Sequence, residues 1–328
     1  MTEKDYSGIL IYAEQKNSEI HKVAYELLGK GAQLSKRLGC SLSVAILGPE
    51  GINVQELIAR GANHVYHISD ENIFNYPDET VYAENLVELI SNIKPEICLF
   101  GATAFGRSVA PRVAAALNAG LTADCTDLQI DEDMKLVQIR PAFSENILAH
   151  IKSDTYPQMA TVRYKEFDEA EADSLREGNV IHVKPVISSN KLIEILKEIK
   201  EEKIDIADAR IVVAAGVAVK SEDDLNIVRE LAKLLGGEVG ASRALVETGL
   251  ISKNHQIGYS GNRVKPDVYI ACGISGAPQH IAGMKEARII IAINNDPSAP
   301  IFSVADHSIL GDMYEVVPKL IEVIKKDS

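Results

Sequence analysis

The chain alternates short, mostly apolar runs with longer stretches in which apolar residues recur every three or four positions. Ile9–Ala13, Leu42–Leu47, His64–Ile68 and Ile97–Gly101 are of the first kind, and runs of that length read as strands covered on both faces. Helical patterns lie between them, over His21–Leu38, Gln55–Arg60 and Val81–Asn92. In the first of these Val23, Leu27, Leu34 and Leu38 share one face while Lys22, Glu26, Lys30 and Lys36 take others. Gly39 is placed to cap that helix, and Pro95 stops the third. Such alternation predicts a parallel sheet with crossover helices. After Leu117 the rhythm changes. Leu128–Ile130, Leu136–Ile139, Ile147–Lys152 and Gln158–Arg163 are short runs separated by turn residues, and predict antiparallel strands appended to the first domain. Phe167–Glu177 reads as an acidic connector and Val180–Ile187 as a last strand.

Ser188–Asn190 break the pattern and Lys191–Lys203 predicts a charged helix. The expected division is an N-terminal domain over 1–187, a linker over 188–209 that permits one domain to swivel, and a C-terminal domain over 210–328. In the latter, strands are expected at Arg210–Ala215, Glu238–Ala241, Val268–Ala271 and Ile289–Ile293, with a helix over Glu222–Leu235. A final helix, Gly311–Lys325, carries Val316, Val317, Leu320 and Val323 and is expected to pack on a partner sheet. Both domains are thus α/β, the second of them doubly wound.

Candidate chemistry concentrates in Val268–Asp296. The first strand there stops at Gly273, and Gly273-Ile274-Ser275-Gly276-Ala277 lets the backbone turn sharply with its N–H groups facing outward. Pro278 suits a first helical position, with Gln279, His280 and Met284 following, so the positive end of a helix would face the turn. The arrangement suits an anion. The second strand ends in Asn294-Asn295-Asp296-Pro297, and ligands of open α/β sheets bind at that carboxyl edge. Three readings stand at this point. One is a turn with no ligand. Another is a serine hydrolase, since Ser275 sits in a near match to G-x-S-x-G, with Ala277 for the last glycine and Asp296 and His307 following in order. The third is a redox cofactor gripped by Ser275, Gln279, His280 and Asn294. A second strand-end turn, Gly101–Ser108 with Arg107 and Arg112 nearby, either binds phosphate or simply connects elements.

Composition narrows the partners. A net charge of −13, with no basic cluster beyond Lys325-Lys326, argues against nucleic acid. Hydrophobic content of 46% and charged content of 25% are ordinary for a globular protein. No apolar run is long enough for membrane insertion, and the polar, acidic Met1–Asp5 resembles neither a signal nor a transit peptide, so a cytoplasmic location is expected. Cys40, Cys98, Cys125 and Cys272 are widely spaced and read as reduced core thiols. No metal motif or Walker loop is present.

GISGAPQHIAGM followed by IAINND and PSAPIF, VGASRALVETG at Val239–Gly249 and QIGYSG at Gln256–Gly261 resemble the FAD-binding domain of the electron-transfer flavoprotein alpha subunit. The resemblance is strong from Arg210 onward and weaker before it. It implies FAD as cofactor, an electron-transfer flavoprotein beta subunit as partner, and electron relay to or from an acyl-CoA dehydrogenase. It also implies roles for single residues. Arg243 lies against the flavin ring with Ser242 beside it, and His280 donates to the ring C2 carbonyl. Ser260 donates toward N5 where threonine is common, and Tyr259 replaces a frequent glutamine. Gln256, Ile257, Gly258 and Gly261 form the loop crossing the ring edge. Gly273, Ile274, Gly276 and Ala277 allow close approach, Ser275 and Gln279 touch pyrophosphate and ribityl, and Asn294, Asp296 and Asp312 lie by the adenosine half. Ala214-Ala215-Gly216-Val217 stands where the family often has Gly-Gly-Arg-Gly, which removes one cationic contact. The first domain would face the beta subunit without holding its own nucleotide. Gly120–Leu128 and Arg140–Ile147 look closer to the electron-bifurcating branch, in which the beta subunit holds a second FAD, takes hydride from NADH and sends one electron to ferredoxin. Arg140 or Arg163 would then reach that second flavin. Outside electron transfer, the remaining readings are a serine hydrolase using Ser275 and a non-redox nucleotide-binding subunit.

Overall fold

The computed structural model describes residues 5–74, 76–142, 144–186 and 206–327, which fall into two compact units, Met1–Leu196 and Lys197–Ser328. The helix expected over Lys191–Lys203 and most of the expected linker lie outside the described residues. Among those residues no helix is long and apolar enough to cross a membrane.

The first unit runs β1 (Ile9–Ala13), a minimal hairpin β2–β3 (Gln15–Lys16, Glu19–Ile20), α1 (Val23–Leu38), β4 (Leu42–Gly48), α2 (Gln55–Ala59), β5 (His64–Ser69), α3 (Glu79–Ile93), β6 (Ile97–Gly101) and α4 (Gly106–Leu117). It continues with β7 (Leu121–Cys125), β8 (Asp127–Ile130), β9 (Leu136–Ala142), β10 (Ser144–Ile151), β11 (Gln158–Val162) and β12 (Asn179–Val183). Seven strands pair in the order β12-β5-β4-β1-β6-β11-β7, all parallel. Every residue of β1, β4 and β6 is buried, because helices cover both sheet faces. Gly39 ends α1 in the left-handed conformation, at φ 66°.

The appended antiparallel group is smaller than expected. It contains β8, β9 and β10, whereas β11 belongs to the main sheet between β6 and β7. Burial explains the difference: every residue of β11 is enclosed, with Met159 facing one core and Ala160 the other, which a strand of a half-exposed hairpin does not achieve.

Glu26, on α1, is a charged residue placed by the core. It is only 4% exposed, and its carboxyl oxygens accept from the Lys165 N–H at 3.1 and 2.8 Å, holding a turn where Lys165 has φ 68°. Burial pushes its pKa up to about 8, against weaker opposition from the backbone N–H groups of Lys165 and Phe167.

The second unit runs β13 (Ile211–Ala215), α5 (Glu222–Leu234), β14 (Glu238–Ala241), α6 (Arg243–Glu247), β15 (Val268–Cys272), α7 (Pro278–Ile281), β16 (Ile289–Asn294), β17 (His307–Leu310) and α8 (Met313–Asp327). Its parallel strands are ordered β14-β13-β15-β16-β17. Ser221 caps α5 in a reciprocal box with Asp224. The final helix, expected on a partner sheet, instead covers its own: Val317 and Ile321 join Leu225 and Val228 of α5 in one core, and Lys325 Nζ meets Glu230 at 2.7 Å.

Glu26 gives a test of the first unit. Its folded pKa lies above its unfolded value, so its contribution is complete below about pH 4.5 and is lost as pH rises through about 8. Glu26→Gln has no proton to lose. Between about pH 5 and 9, urea unfolding should show wild type losing on the order of a few kcal/mol more stability than the variant; parallel pH profiles would show that Glu26 ionises normally.

Candidate functional site

Strand order locates a crevice in the second unit. From β13 the chain crosses first to β14 on one side and later to β15 on the other, so the carboxyl ends of β13 and β15 flank the point where winding reverses, which is where such sheets take ligands. There the backbone is drawn together more tightly than side chains permit. The Gly216 N–H donates to the Cys272 carbonyl at 2.9 Å, and a Cβ on Gly216 would stand 1.9 Å from the Gly273 carbonyl oxygen. Gly273 and Gly276 have φ values of 62° and 87°, the left-handed region that glycine enters without cost.

The turn from Gly273 to Ala277 is held from two sides. Asn294 donates its amide to the Ile274 carbonyl at 2.8 Å and accepts from the Asp296 N–H at 2.9 Å, while Ile301 N–H donates to the Ser275 carbonyl at 3.0 Å. Asn294 therefore braces the turn with one amide N–H and its carbonyl oxygen. Ser275, Ala277 and Gln279 remain exposed along this edge. Asp296 accepts from both the N–H and the hydroxyl of Ser298, bonds that keep its carboxyl below its ordinary pKa. Asp312 starts α8, accepting from Tyr314 N–H at 2.9 Å; its neighbour Gly311 donates to the Asn294 carbonyl at 3.0 Å.

A second loop, Gln256–Asn262, is clipped across the same edge. Ile257 N–H donates to the Ala241 carbonyl at 2.9 Å, and Tyr259 N–H donates to the Gln279 carbonyl at 2.7 Å. Inside it, Gln256 is buried and donates to Ser260 Oγ at 3.2 Å, and Gly258 adopts φ 150°. Where the loop meets α7, a Cβ on Gly283 would lie 2.5 Å from Gly258 N. α7 is one turn long, shorter than the expected helix, and continues as turns through Gly283 and Met284. Its macrodipole is correspondingly slight, and the polar groups of the turn itself are what the edge presents.

The loop connects two donors of opposite character. Arg243 opens α6 immediately after Ser242, whose hydroxyl accepts from Leu245 N–H at 3.3 Å. Its guanidinium is 71% exposed and pairs with Glu247 at 2.8 Å, an exposed i,i+4 contact worth only about 0.3–0.5 kcal/mol. His280, on α7, is 6% exposed. Burial lowers its pKa to about 4, so the ring is neutral at physiological pH. Its Nε2 lies 2.8 Å from the hydroxyl of Tyr269, while Nδ1 makes no hydrogen bond of normal geometry. The sequence pattern singles out neither Tyr269 nor Gly283, and shows Gly216 only as part of a turn that lacks a cation. For Tyr269 the available signal was a single hydroxyl in an otherwise apolar strand.

The hydrolase arrangement does not form. Ser275 lies beyond the carboxyl end of β15, whereas His307 begins β17 and pairs with Ile291 in the middle of β16, toward the amino end of the sheet. In the first unit, Thr103 spends its hydroxyl on Glu14 and accepts from Gly106 N–H at 2.9 Å. Arg107 is bound to Asp124 at 2.7 Å, and the largely buried Arg163 approaches the same carboxylate at 3.8 Å. An open polar cleft of about 830 Å³, lined by Cys40, His64, Arg176 and Asn179, lies at the amino edge of the first sheet, opposite the edge that carries the Gly101–Ser108 turn. Among the described residues no group of His, Cys, Asp and Glu is arranged for a metal.

Residues 9–187 match the model of the electron transfer flavoprotein domain, and residues 205–285 that of the electron transfer flavoprotein FAD-binding domain. The chain is 45% identical to the electron transfer flavoprotein subunit alpha of Thermoanaerobacterium thermosaccharolyticum, over 98% of this chain and 99% of that one. It is 42% identical to protein FixB of Clostridium saccharobutylicum, over 98% and 97%. It is 41% identical to the lactate dehydrogenase (NAD(+),ferredoxin) subunit LctC of Acetobacterium woodii, over 98% and 77%.

Gly283→Ala tests the clip between loop and helix. A methyl driven against the Gly258 backbone should cost about 1–3 kcal/mol in urea unfolding; an unchanged midpoint would mean that the two segments part freely.

Proposed function

We propose, from the premise that this chain belongs to the electron transfer flavoprotein alpha-subunit family, that the crevice at the carboxyl edge of its second sheet holds FAD with Arg243, Ser260 and His280 toward the flavin ring. Membership itself makes the chain an FAD-binding electron-transfer subunit that works with a beta subunit and a dehydrogenase. The single observation that carries the site is the loop Gln256–Asn262, hydrogen-bonded at one end beside Ser242 and Arg243 and at the other to α7. The residues suit the cofactor. Ser275, Ala277 and Gln279 lie exposed along the turn that Gly273 and Gly276 shape through positive φ, and the buried Nδ1 of His280 is a polar atom with no hydrogen-bond partner of normal geometry among the described residues.

Bound FAD supplies one- and two-electron chemistry at its ring. The chain contributes electrostatics. Arg243 carries a charge that it cannot lose and is held only by a weak surface pair, so it is free to favour negative charge on a neighbouring group. Neutral His280 donates one hydrogen bond, and Ser260 offers a hydroxyl already oriented by Gln256. Ser275 and Gln279 line the turn for pyrophosphate and ribityl groups. Asp296 and Asp312 lie on the adenosine side, with Asn294 bracing the turn from behind.

The finer reading is electron bifurcation. Likeness to a subunit of an NAD(+),ferredoxin-dependent lactate dehydrogenase supports it. In this reading residues 1–187 face the beta subunit, which carries a second FAD, receives electrons from NADH and passes one to ferredoxin. The other reaches the site described above and then an acyl-CoA dehydrogenase, in the cytoplasm.

Arg243→Ala, in the complex with the beta subunit, should weaken reduction of the bound flavin about tenfold in equilibrium constant, or ~1.4 kcal/mol, as a lower midpoint potential in redox titration. An unchanged potential would remove Arg243 from the ring. For the finer reading, the reconstituted complex should reduce ferredoxin with NADH only when the dehydrogenase and its electron acceptor are present; ferredoxin reduction indifferent to that acceptor would exclude bifurcation.

A further inference from the structure

We infer that Tyr269 is a positioning residue: its hydroxyl donates to Nε2 of His280 and so fixes the histidine proton on Nδ1, the nitrogen available to a bound acceptor. The inference rests on the reading above that His280 faces the flavin.

The argument is one of counting protons in a closed space. Tyr269 is the sole aromatic residue of β15, fully buried among Ile206, Val212, Ile257 and Met284. Among the described residues its hydroxyl has one hydrogen-bond partner, His280 Nε2, at 2.8 Å. A buried phenol keeps its proton, since burial raises its pKa well above 10.0, and the buried imidazole is neutral. One hydrogen therefore lies between the two rings, and either side could supply it. If Nε2 carried it, the phenol would accept, and its own hydrogen would point into apolar side chains. An unmet buried donor of that kind costs roughly 1–3 kcal/mol. If the phenol donates, both atoms of the contact are satisfied and the imidazole proton must sit on Nδ1. The backbone of Ile257 partly offsets the lowering of the ring pKa by burial, and Nδ1 has no hydrogen-bond partner of normal geometry among the described residues. The donor left without a good partner among the described residues is then Nδ1–H, itself buried, which the backbone of Ile257 or a bound acceptor can meet. With its hydroxyl donating to Nε2, Tyr269 leaves Nδ1 as the nitrogen that can give a hydrogen bond.

The test uses the full complex with its beta subunit and FAD. Two-bond proton–nitrogen NMR spectra of ¹⁵N-histidine-labelled protein distinguish the tautomers, and His280→Ala identifies the signal. Wild type should show Nδ1–H. In Tyr269→Phe the pattern should become mixed or switch to Nε2–H, and flavin reduction should weaken severalfold in equilibrium constant. In a His280→Ala background, Tyr269→Phe should shift the flavin potential no further. An Nε2–H signal in wild type overturns the inference, and that spectrum decides even if Tyr269→Phe does not fold. So does a Tyr269→Phe effect that persists undiminished without His280, or an absence of any effect on tautomer and potential. If His280→Ala alone leaves the potential unchanged, the contact between histidine and flavin fails, whereas the wild-type tautomer still reports on Tyr269.

Discussion

Backbone approaching backbone, closer than any Cβ allows, is the constraint from which the second unit takes its form. Gly216 against Gly273 closes the ends of β13 and β15; Gly276 against Ile301 fixes the turn that follows; Gly283 against Gly258 seats the loop on α7. Each contact is short because a side chain is missing, and together they draw the strand ends, the turn and the loop into one edge. The donors of this edge are then positioned by ordinary hydrogen bonds, from the Ile257 N–H to the Ala241 carbonyl and from the Tyr259 N–H to the Gln279 carbonyl.

Charge and burial are kept apart in this unit. The guanidinium of Arg243 stays in water beside Glu247, where it costs little to hold, and the enclosed His280 is neutral, so neither pays for a charge inside the protein. The first unit treats its corresponding edge differently. Thr103, Glu14, Arg107, Asp124 and Arg163 satisfy one another there, and the turn that resembled a phosphate site in sequence is occupied by the protein's own polar groups.

What could be read without coordinates follows from these physics. Strands β1, β4, β6, β13 and β15 were legible because both of their faces are apolar. β7 was missed, since Thr122 and Asp124 give it a polar aspect, and β17 was missed because His307 and Ser308 are exposed at the sheet edge. The run at β11 was visible but not its partners: five buried residues look alike in a parallel or an antiparallel pair. At the site, Arg243, Ser275 and His280 stood out through motif resemblance. Gly283 did not, because the need for a glycine there comes from Gly258, twenty-five residues away in the chain. Asn294 was legible as a residue of the site, but its work as a brace depends on the carbonyl of Ile274.

The place of β11 has a further consequence for how the molecule comes into being. Its neighbour β7 is made first, yet among the described residues β7 has no other strand to pair with in the main sheet. A nascent chain leaving the ribosome must therefore hold β7 and the three antiparallel strands aside until residues 158–162 emerge and insert beside β6. Such delayed, non-local pairing slows folding and leaves a strand edge uncovered during synthesis.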